Sequence, residues 1–365
     1  MRLITIIAGA RPNFMKIAPI IDAIKFAQQQ GRNINYRLIH TGQHYDEKMS
    51  NSFFHELQIP EPNVNLECGG GTQSEQTAAI MIKFEQELIQ NPADLVLVVG
   101  DVTSTMACAI VAQKLHVKVA HVEAGIRSGD WTMPEEINRL VTDSITNYFF
   151  TTTELASNNL IISGIDKSRI FLVGNTMIDT LLKQMPRLKK PQLYTNSNLI
   201  NGNYFILTLH RPANVDEQNK LDELLEEITS NTQGLPVVFP VHPRTRKQLN
   251  NLGKSYSNLV LSDPLGYLEF NYLVKNAKAV ITDSGGITEE TTVLGIPCMT
   301  LRDSTERPET CTIGTNELLG INPNVIKQAM EKLFNGGWKK GGIPPLWDGK
   351  TAERIVKHLI ELFPS

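Results

Sequence analysis

Continuous apolar runs alternate with amphipathic stretches along the 365 residues of this chain. The first half opens with the apolar run RLITIIAG and the helix-like stretch KIAPIIDAIKFAQQQG, and the runs YRLIHTG, ADLVLVVGD and KVAHVEAG follow in the same rhythm. Strands that are apolar at every position, rather than at every second one, are typical of parallel sheets that helices cover on both faces. The pattern therefore predicts an α/β protein with a doubly wound sheet.

The pattern is interrupted once and then repeats. A polar segment, MPRLKKPQLYTNSNLINGN, precedes four further apolar runs, YFILTLHRP, LPVVFPVHP, NLVLSDP and KAVITDSGG. We predict one doubly wound domain over residues 1–180, a linker over 180–203 and a second domain over 203–350, with a cleft between the domains. The amphipathic stretch within 351–365 predicts a last helix that packs back towards the first domain.

Composition limits the class of protein. Hydrophobic residues make up 41% and charged residues 20% of the chain, as in ordinary globular proteins, and no apolar stretch approaches the ~20 residues of a membrane-spanning helix. The first apolar run is broken by Gly9, Arg11 and Pro12, which indicates a buried strand rather than a signal peptide. We therefore expect a soluble, cytoplasmic protein without a membrane partner.

Charge and cysteine usage exclude further classes. The formal net charge of -3 provides no global basic field, so nucleic acid is not an expected partner. The four cysteines occur without any CxxC pairing, which argues against a zinc site and against a disulfide framework. An anionic ligand would have to be held by local charges.

The segment DSGGITEE, residues 283–290, directly follows the apolar run KAVIT. In open parallel sheets, ligands bind beyond the carboxyl ends of the strands. The glycines allow a ligand close to the backbone, and the free amides of a helix that begins near Ile287 would attract a diphosphate. Glu289 and Glu290 suit the positive end of the helix dipole; alternatively, one of them binds ribose hydroxyls.

Positive side chains follow two other predicted strands. Arg11 and Lys16 lie in GARPNFMK after the first strand, and Arg302 and Arg307 lie in TLRDSTERPE after the strand PCMTL. Cations at strand ends suit a diphosphate, whereas a single Arg or Lys is more often a solvated surface charge. The chain has neither GxxxxGK[ST] nor a GxGxxG after its first strand, so a P-loop and an NAD site are not expected.

Acidic and imidazole side chains also lie at predicted strand or loop ends. Three segments of the first half supply carboxylates, and two strands of the second half end in histidines; the residues are Asp101, Glu123, Glu135, Glu136, His210 and His242. Carboxylates and a histidine that face one cleft would be equipment for acid–base catalysis. The absence of a GxSxG elbow and of a histidine pair at metal spacing argues against hydrolase and metalloenzyme classes.

Several of these groups also have a structural interpretation. Asp101 can cap the helix that follows it, and Glu136 can pair with Arg139 on one helix face. His121 can be a satisfied core histidine. Glu123 is harder to explain in this way, because it interrupts an apolar strand with no evident partner.

Ten motifs, in this order, resemble one enzyme family. They are GARPNFMKIAPI, TGQHYD, GDVTSTMA, HVEAGIRS, MPEEINR, VGNTMIDT, TLHRPANVD, PVHPR, TDSGGITEE and LRDSTERPE, and with them the chain resembles the non-hydrolysing UDP-N-acetylglucosamine 2-epimerases. The resemblance covers residues 3–310, and DGKTAERIV resembles the last helix of the family. It implies two Rossmann-like domains, as in the GT-B glycosyltransferases, and a homodimer.

The resemblance also implies a reaction. Members of the family interconvert UDP-N-acetylglucosamine and UDP-N-acetylmannosamine by eliminating UDP and adding it back through a bound 2-acetamidoglucal, for cell-surface polysaccharide synthesis. They use neither NAD nor a metal, so no cofactor is expected here. UDP-N-acetylglucosamine and UDP are the expected ligands.

Family roles carry over to matching positions of this sequence. The acids assigned to proton transfer match Asp101, Glu123 and Glu135, without an order among them. Glu290 matches the ribose-binding glutamate, and Phe270 the residue beside uracil. The contacts to the diphosphate match Arg11, Lys16, His210, Ser284, Gly285, Gly286 and Arg307, of which His210 is also counted with the catalytic residues.

The chain departs from the family pattern at two places. Ala10 and Asn13 replace a threonine and a glutamate that many bacterial members have in the first loop. Many of those members are activated by a second UDP-N-acetylglucosamine molecule, and the residues that would fit such an allosteric site here are Gln43, His44, Glu136 and His242. Asp46 and the glycine run CGGGTQ differ from those members, which counts against allosteric activation.

Three alternatives stay open at the level of sequence. A hydrolysing relative would release UDP and N-acetylmannosamine, although its first loop has a different pattern. A GT-B glycosyltransferase would share the UDP site but needs an acceptor groove, and the first half shows no basic amphipathic patch. A regulator that only binds nucleotide sugars would not need clustered acids.

Overall fold

The computed structural model describes residues 2–43, 54, 56–215, 217–241, 243–252, 254–320 and 322–363. The chain forms two compact units: unit 1 contains Met1–Lys183 and Pro345–Ser365, and unit 2 contains Gln184–Pro344. The chain therefore passes from unit 1 into unit 2 and returns to unit 1 for its last segment.

Unit 1 is built on a parallel sheet whose strands, within the described residues, are β1 (Arg2–Ala8), β2 (Ile34–His40), β3 (Val64–Asn65), β4 (Leu95–Val99), β5 (Lys118–Val122), β6 (Tyr148–Thr151) and β7 (Ile170–Leu172). Their order is β3-β2-β1-β4-β5-β6-β7, and every pairing is parallel. The connecting helices are α1 (Arg11–Gln29), α2 (Gln73–Gln90), α3 (Thr103–Lys114), α4 (Pro134–Ile145), α5 (Glu154–Ile162) and α6 (Thr176–Gln184). All five residues of β4 are buried, as the continuous apolar run predicts.

A proline inside α1 is compensated by another helix. Pro19 has no N–H, so it cannot bond the carbonyl of Met15 four residues earlier. The hydroxyl of Thr180 in α6 donates to that carbonyl at 2.5 Å. The bond satisfies a buried acceptor and ties α6 to α1, the helix that follows the first strand.

Unit 2 repeats the architecture. Its described strands are β8 (Phe205–Thr208), β9 (Val237–Pro240), β10 (Leu259–Ser262), β11 (Ala279–Thr282), β12 (Cys298–Thr300) and β13 (Asn316–Leu318), in the parallel order β10-β9-β8-β11-β12-β13. The helices are α7 (Gln192–Asn196), α8 (Pro212–Val215), α9 (Gln218–Ser230), α10 (Pro243–Leu252), α11 (Tyr267–Lys275), α12 (Gly285–Leu294), α13 (Pro308–Thr312) and α14 (Pro323–Phe334).

Alternate residues of the unit 2 strands enter two different cores. Phe205 and Leu207 pack with residues of α9 and α14, whereas Ile206 packs with residues of α11. Because successive side chains of a strand point to opposite faces, helices cover both faces of the sheet. The prediction of two Rossmann-like α/β domains is thus confirmed.

The boundary between the units differs from the predicted linker. Residues 184–202 belong to unit 2, and the polar segment contains α7 rather than an extended connection. Leu199 is buried beside Tyr204, and Leu193 and Tyr194 of α7 pack against the same core. Scattered apolar residues among many polar ones give a weak periodic signal, which is why the pattern alone suggested a linker.

The final helix, α15 (Thr351–Leu362), is part of unit 1 and contacts α1. Its first two amides donate to Asp179 of α6, from Thr351 at 3.1 Å and from Ala352 at 2.7 Å. Just before it, the fully buried Trp347 donates its indole N–H to the Thr152 carbonyl at 3.3 Å. These contacts fix the returning chain on the first unit.

Candidate active site

Each sheet has one place where the strand order reverses. In unit 1 this switch point lies between β1 and β4, and in unit 2 between β8 and β11. Ligands of doubly wound folds bind beyond the carboxyl ends of the strands at such a point. Lys16 lies in the second turn of α1, the helix after β1, and Asp101, His210 and Ser284 lie in the loops after the other three strands; the sequence singled out all four.

Lys16 and Glu123 form a buried ion pair in unit 1. Nζ of Lys16 lies 2.6 Å from Oε2 of Glu123, and the side chains are 10% and 3% exposed. No partner for Glu123 was evident from the sequence, and the family resemblance matched Lys16 to a diphosphate contact. In the structure the ammonium of Lys16 pairs with this candidate acid, so each buried charge has an opposite charge beside it.

The backbone of Glu123 is in the left-handed region, with φ at 69°. Non-glycine residues are uncommon there, and such strain concentrates at functional sites. The amides of Glu123 and Ala124 both donate to the Phe150 carbonyl, at 3.0 and 3.2 Å. The end of β5 is thereby held so that the glutamate turns out of the strand direction.

Gly100 provides the space beside this pair. A Cβ at Gly100 would lie 3.1 Å from Nζ of Lys16 and 3.8 Å from Oε2 of Glu123, and its φ of 69° disfavours any other residue. A side chain here would therefore disturb the ion pair.

Asn13 joins the ends of β1 and β4. Its Oδ1 accepts the amides of Gly9 and Ala10, both at 3.0 Å, while Nδ2 donates to the Val99 carbonyl at 2.9 Å. A carboxylate at this position could accept the two amides but could not donate to Val99. The sequence marked Asn13 only as a departure from a family pattern; its donor function appears only in three dimensions.

Asp101 does not cap α3, contrary to one of the interpretations above. Its Oδ2 accepts from Arg139, from Nε at 3.1 Å and Nη2 at 2.8 Å, and its side chain is 32% exposed. At the start of α3, Gln43 takes this place: its Oε1 accepts hydrogen bonds from the amide and the hydroxyl of Ser104, at 3.2 and 2.8 Å. Gln43, a candidate for an allosteric site, thus takes part in the local fold.

Glu136, another allosteric candidate, is directed into the protein. It pairs with Arg139, as predicted, and accepts the amides of Ser128 and Gly129 at 3.0 and 3.1 Å. Burial opposes its charge, but these amides and Arg139 outweigh burial and lower the pKa of Glu136. Its neighbour Glu135, in the first turn of α4, is half-buried and has no hydrogen bond or ion pair to the described residues.

In unit 2, Asp283 organises the loop after β8. Its carboxylate accepts the amide of His210 at 3.0 Å from each oxygen, the amide of Arg211 at 2.9 Å and Nδ2 of Asn214 at 3.0 Å. The acid that ends β11 is therefore a positioning group for the histidine after β8. Asp283 is the first residue of the segment DSGGITEE, but the sequence did not reveal its function, because its partners lie about 70 positions away in the chain.

His210 is exposed at the end of this loop, and its ring is oriented by its own backbone. Nδ1 lies 2.7 Å from the Leu209 carbonyl, which can only accept, so Nδ1 carries a proton. The other nitrogen, Nε2, is left for a ligand or a proton. This is the geometry of an imidazole that can act on an anionic group.

Helix α12 begins at Gly285 rather than near Ile287 as predicted. The side chain of Ser284, at the N-cap, makes no capping hydrogen bond, so the first amides keep their donor capacity. The earlier start places Glu289 and Glu290 in the second turn, where the helix dipole offers little stabilisation. The dipole interpretation of these acids therefore fails.

Both glutamates have specific partners. Oε1 of Glu289 lies 2.7 Å from Nε of Arg307 in a buried pair. Oε1 of Glu290 accepts from the Tyr267 hydroxyl at 2.9 Å and from Nδ2 of Asn271 at 3.4 Å. Phe270, on the same helix α11, packs on the edge of the neighbouring core.

A further ion pair lies against the start of α12. Arg302 donates to both oxygens of Glu306, at 3.3 and 2.6 Å, and a Cβ at Gly285 would come within 2.5 Å of Oε1 of Glu306. Burial opposes the charge of Glu306, but Arg302 outweighs it and lowers the pKa of Glu306 to about 2. A side chain at position 285 would therefore displace either this carboxylate or the start of α12.

Three predicted positions lie outside the described residues: His44, His242 and the side chain of Arg11. In the part of the chain that is described, no group of His, Cys, Asp or Glu side chains is arranged to hold a metal ion. No described helix has the length and apolarity needed to cross a membrane.

Two Rossmann-like α/β units with polar groups at both switch points define a GT-B-like protein. The chain belongs to the family described as UDP-N-acetylglucosamine 2-epimerase, whose model matches residues 27–360. The family resemblance deduced from the sequence is thereby confirmed.

Curated relatives and solved structures agree with this assignment. The chain is 44% identical, over 98% of both chains, to the UDP-N-acetylglucosamine 2-epimerase of Methanocaldococcus jannaschii. It is 38% identical, over 99% of its length and 100% of the relative, to the UDP-2,3-diacetamido-2,3-dideoxy-D-glucuronate 2-epimerase of Pseudomonas aeruginosa. A crystal structure of the M. jannaschii enzyme with UDP-GlcNAc and UDP is similar, with a TM-score of 0.88, 43% identity and coverage of 99% and 100%.

Proposed function

We propose that this protein catalyses the reversible C2 epimerisation of UDP-N-acetylglucosamine to UDP-N-acetylmannosamine, by elimination and re-addition of UDP. Support comes from relatives named for 2-epimerase activity over the full chain and from a similar structure that holds UDP-GlcNAc and UDP. We place the reaction in the cytoplasm, where the product would supply cell-surface polysaccharide synthesis.

The observation that carries the proposal is the buried pair of Lys16 and Glu123 at the unit 1 switch point, 2.6 Å apart. Glu123 combines an enforced left-handed backbone with a neutralising partner. A carboxylate held in place by a buried ammonium is positioned to accept a proton from carbon.

The reaction needs proton transfer on both faces of C2. A base removes the C2 proton, the C–H electrons form a C1=C2 double bond, and the C1–O bond breaks with its electrons on the UDP oxygen. In the return step that oxygen attacks C1, and C2 takes a proton on its other face. Two separate groups are therefore required, for which Glu123 and either Asp101 or Glu135 are the candidates.

The C2 proton is only weakly acidic, so its removal depends on the departure of UDP. Stabilising the departing UDP therefore lowers much of the activation barrier. The amides at the start of α12, at Gly285 and Gly286, are donors suited to a diphosphate, and so is His210 when Nε2 is protonated. Arg307 adds positive charge, with Glu289 fixing its orientation.

Glu290 is suited to the ribose. Tyr267 and Asn271 donate to the same oxygen of its carboxylate, which orients the group. An oriented carboxylate can accept two neighbouring hydroxyls. Phe270, on helix α11 with Tyr267 and Asn271, provides apolar surface for the uracil base.

A second candidate substrate is a UDP-linked 2,3-diacetamido uronic acid. The 38% identical relative from P. aeruginosa is named for that substrate. The chemistry at C1 and C2 would be identical, so the two candidates differ only in the groups that face C3 and C6.

Proton NMR in D2O tests the proposal, with purified protein and UDP-N-acetylglucosamine alone. Appearance of UDP-N-acetylmannosamine with deuterium at C2 is the expected result. Accumulation of UDP and free N-acetylmannosamine would identify a hydrolysing enzyme instead. An unchanged spectrum, together with turnover of the diacetamido uronate, would assign the second candidate.

A further inference from the structure

His121 lies in β5, two positions before Glu123, and is almost fully buried. Its Nδ1 lies 2.8 Å from Oδ1 of Asp143, and its Nε2 lies 2.8 Å from the carbonyl oxygen of Gly100. Both ring nitrogens therefore face acceptors. The interpretation of His121 as a satisfied core residue accounts for the number of its bonds but not for this choice of partners.

The donors and acceptors determine where the protons lie. A carbonyl cannot donate, so Nε2 of His121 must carry a proton. The other oxygen of Asp143, Oδ2, accepts from Arg127 Nη1 at 2.6 Å and from the Gly125 amide at 3.1 Å. Burial opposes the charge of Asp143, but the pKa of Asp143 is lowered by His121 and Arg127. The carboxylate is thus ionised, and Nδ1 of His121 faces an oxygen that can only accept.

The His121 ring fixes one peptide at the switch point. The Gly100 amide donates to the Val122 carbonyl at 3.0 Å, and its carbonyl accepts from His121, so β5 holds both polar groups of Gly100. The carbonyl belongs to the peptide that leads into Asp101. The charged groups around the ring are Asp143 and Arg127 beside it, and Lys16, Glu123 and Asp101 beyond Gly100.

We propose that His121 is a positioning residue, held as an imidazolium between Asp143 and the Gly100 carbonyl, which sets the spacing of Lys16, Glu123 and Asp101. It acts through Gly100, where an added Cβ would lie 3.1 Å from Nζ of Lys16, and does not itself touch substrate. Its importance for turnover rests on the proposed function; its protonation state does not.

Two matched substitutions separate the two hydrogen bonds. In His121→Gln, the amide nitrogen reaches about as far as Nε2 and can still donate to Gly100, whereas in His121→Asn it matches Nδ1 and can donate only to Asp143. We expect His121→Asn to lose about 10²-fold in kcat, the loss that a displacement of ~1 Å can cause, with little change in KM. His121→Gln should retain most of the wild-type kcat.

The variants are compared at a temperature where circular dichroism shows both to be folded. Equal kcat in the two variants, or a greater loss in His121→Gln, would contradict the proposal, because a purely structural histidine has no reason to favour Gly100. A change confined to thermal stability would contradict it too.

Nitrogen-15 NMR of the histidine-labelled wild-type protein tests the charge state without any assay of activity. The His121 signals are identified by their loss in both variants. We expect two protonated ring nitrogens at pH 7.5, where an unperturbed imidazole is mostly neutral. A single protonated nitrogen would overturn the proposal whatever the kcat values of the variants. Absence of epimerase activity in the wild type would remove the proposed function but leave this result intact.

Discussion

The ammonium of Lys16 lies 2.6 Å from the carboxylate of Glu123, although the two residues are 107 positions apart in the chain. Each is nearly buried, and each neutralises the other. A pair of this kind is more costly to break on one side than to remove altogether, because breaking it leaves an unpaired buried charge. The contribution of the pair to stability can therefore be measured separately from the contribution of Glu123 to the reaction.

Glu123→Gln should lower turnover by about 10²-fold or more if Glu123 transfers a proton, while the affinity for UDP stays within a few fold. The measurement is the rate of C2 deuterium incorporation in D2O, together with UDP titration by calorimetry. Glu85→Gln, at an exposed position of α2, is the matched control and should behave as wild type. Near-normal deuterium incorporation in Glu123→Gln would remove this glutamate from the mechanism.

The same pair should show strong coupling in a double-mutant cycle. Lys16→Met and Glu123→Gln should each destabilise by about 3–5 kcal/mol, and the double variant by much less than the sum. Urea unfolding provides the free energies. The exposed pair of Lys183 and Asp22, with side chains 41% and 40% exposed, should show little coupling in a parallel cycle. Additive losses for the buried pair would mean that the two charges act independently.

Asp283→Asn should impair both stability and activity. The amide would turn one acceptor into a donor that faces backbone N–H groups, at a cost of about 1–3 kcal/mol. The loop that carries His210 would lose its anchor, so kcat should fall although His210 itself is unchanged. Asp263→Asn, whose side chain is 91% exposed, is the control. Unchanged kcat in a destabilised Asp283→Asn variant would show that the loop position does not matter for the reaction.

Gly285→Ala should weaken UDP binding. The new methyl group would come within 2.5 Å of Oε1 of Glu306, which Arg302 holds in place, so either the Glu306–Arg302 pair or the start of α12 must shift. We expect a loss of about tenfold in affinity, the equivalent of ~1.4 kcal/mol, in UDP titration. Gly342→Ala, where the nearest atom would be 3.8 Å away, should bind UDP normally. Wild-type affinity in Gly285→Ala would place the diphosphate elsewhere.

Glu306 should make stability dependent on acid pH. Its pKa in the folded protein is lowered to about 2 from the ordinary value of 4.5, chiefly because Arg302 overcomes the effect of burial. Its contribution, about 3 kcal/mol, is therefore complete above pH ~4.5 and lost as the pH falls towards ~2.

Urea unfolding at several pH values compares wild type with Glu306→Gln. The difference between the two should be largest near neutrality and should shrink between pH ~4.5 and ~2. A difference that stays constant over this range would mean that Glu306 is not ionised with an unusually low pKa.

The fold was largely predictable because its signal is local. Continuous apolar runs specify parallel strands, and the helical stretches between them specify crossovers, whatever their partners are. Helix ends were less accurate, as at α12, because glycine-rich starts leave no periodic signal. The polar segment before Tyr204 was misjudged for a similar reason, since its few apolar side chains pack on a core formed by distant strands.

The sequence by itself therefore determined the α/β class, the repeated architecture, the family and the position of the candidate groups at strand ends. Only the tertiary structure decided which groups pair: Lys16 with Glu123, Asp283 with the His210 backbone, and His121 with Gly100. Apolar periodicity acts over a few residues, whereas these bonds depend on strand order and on single backbone angles such as that of Glu123. Such angles and neighbours exist only once the sheet has formed.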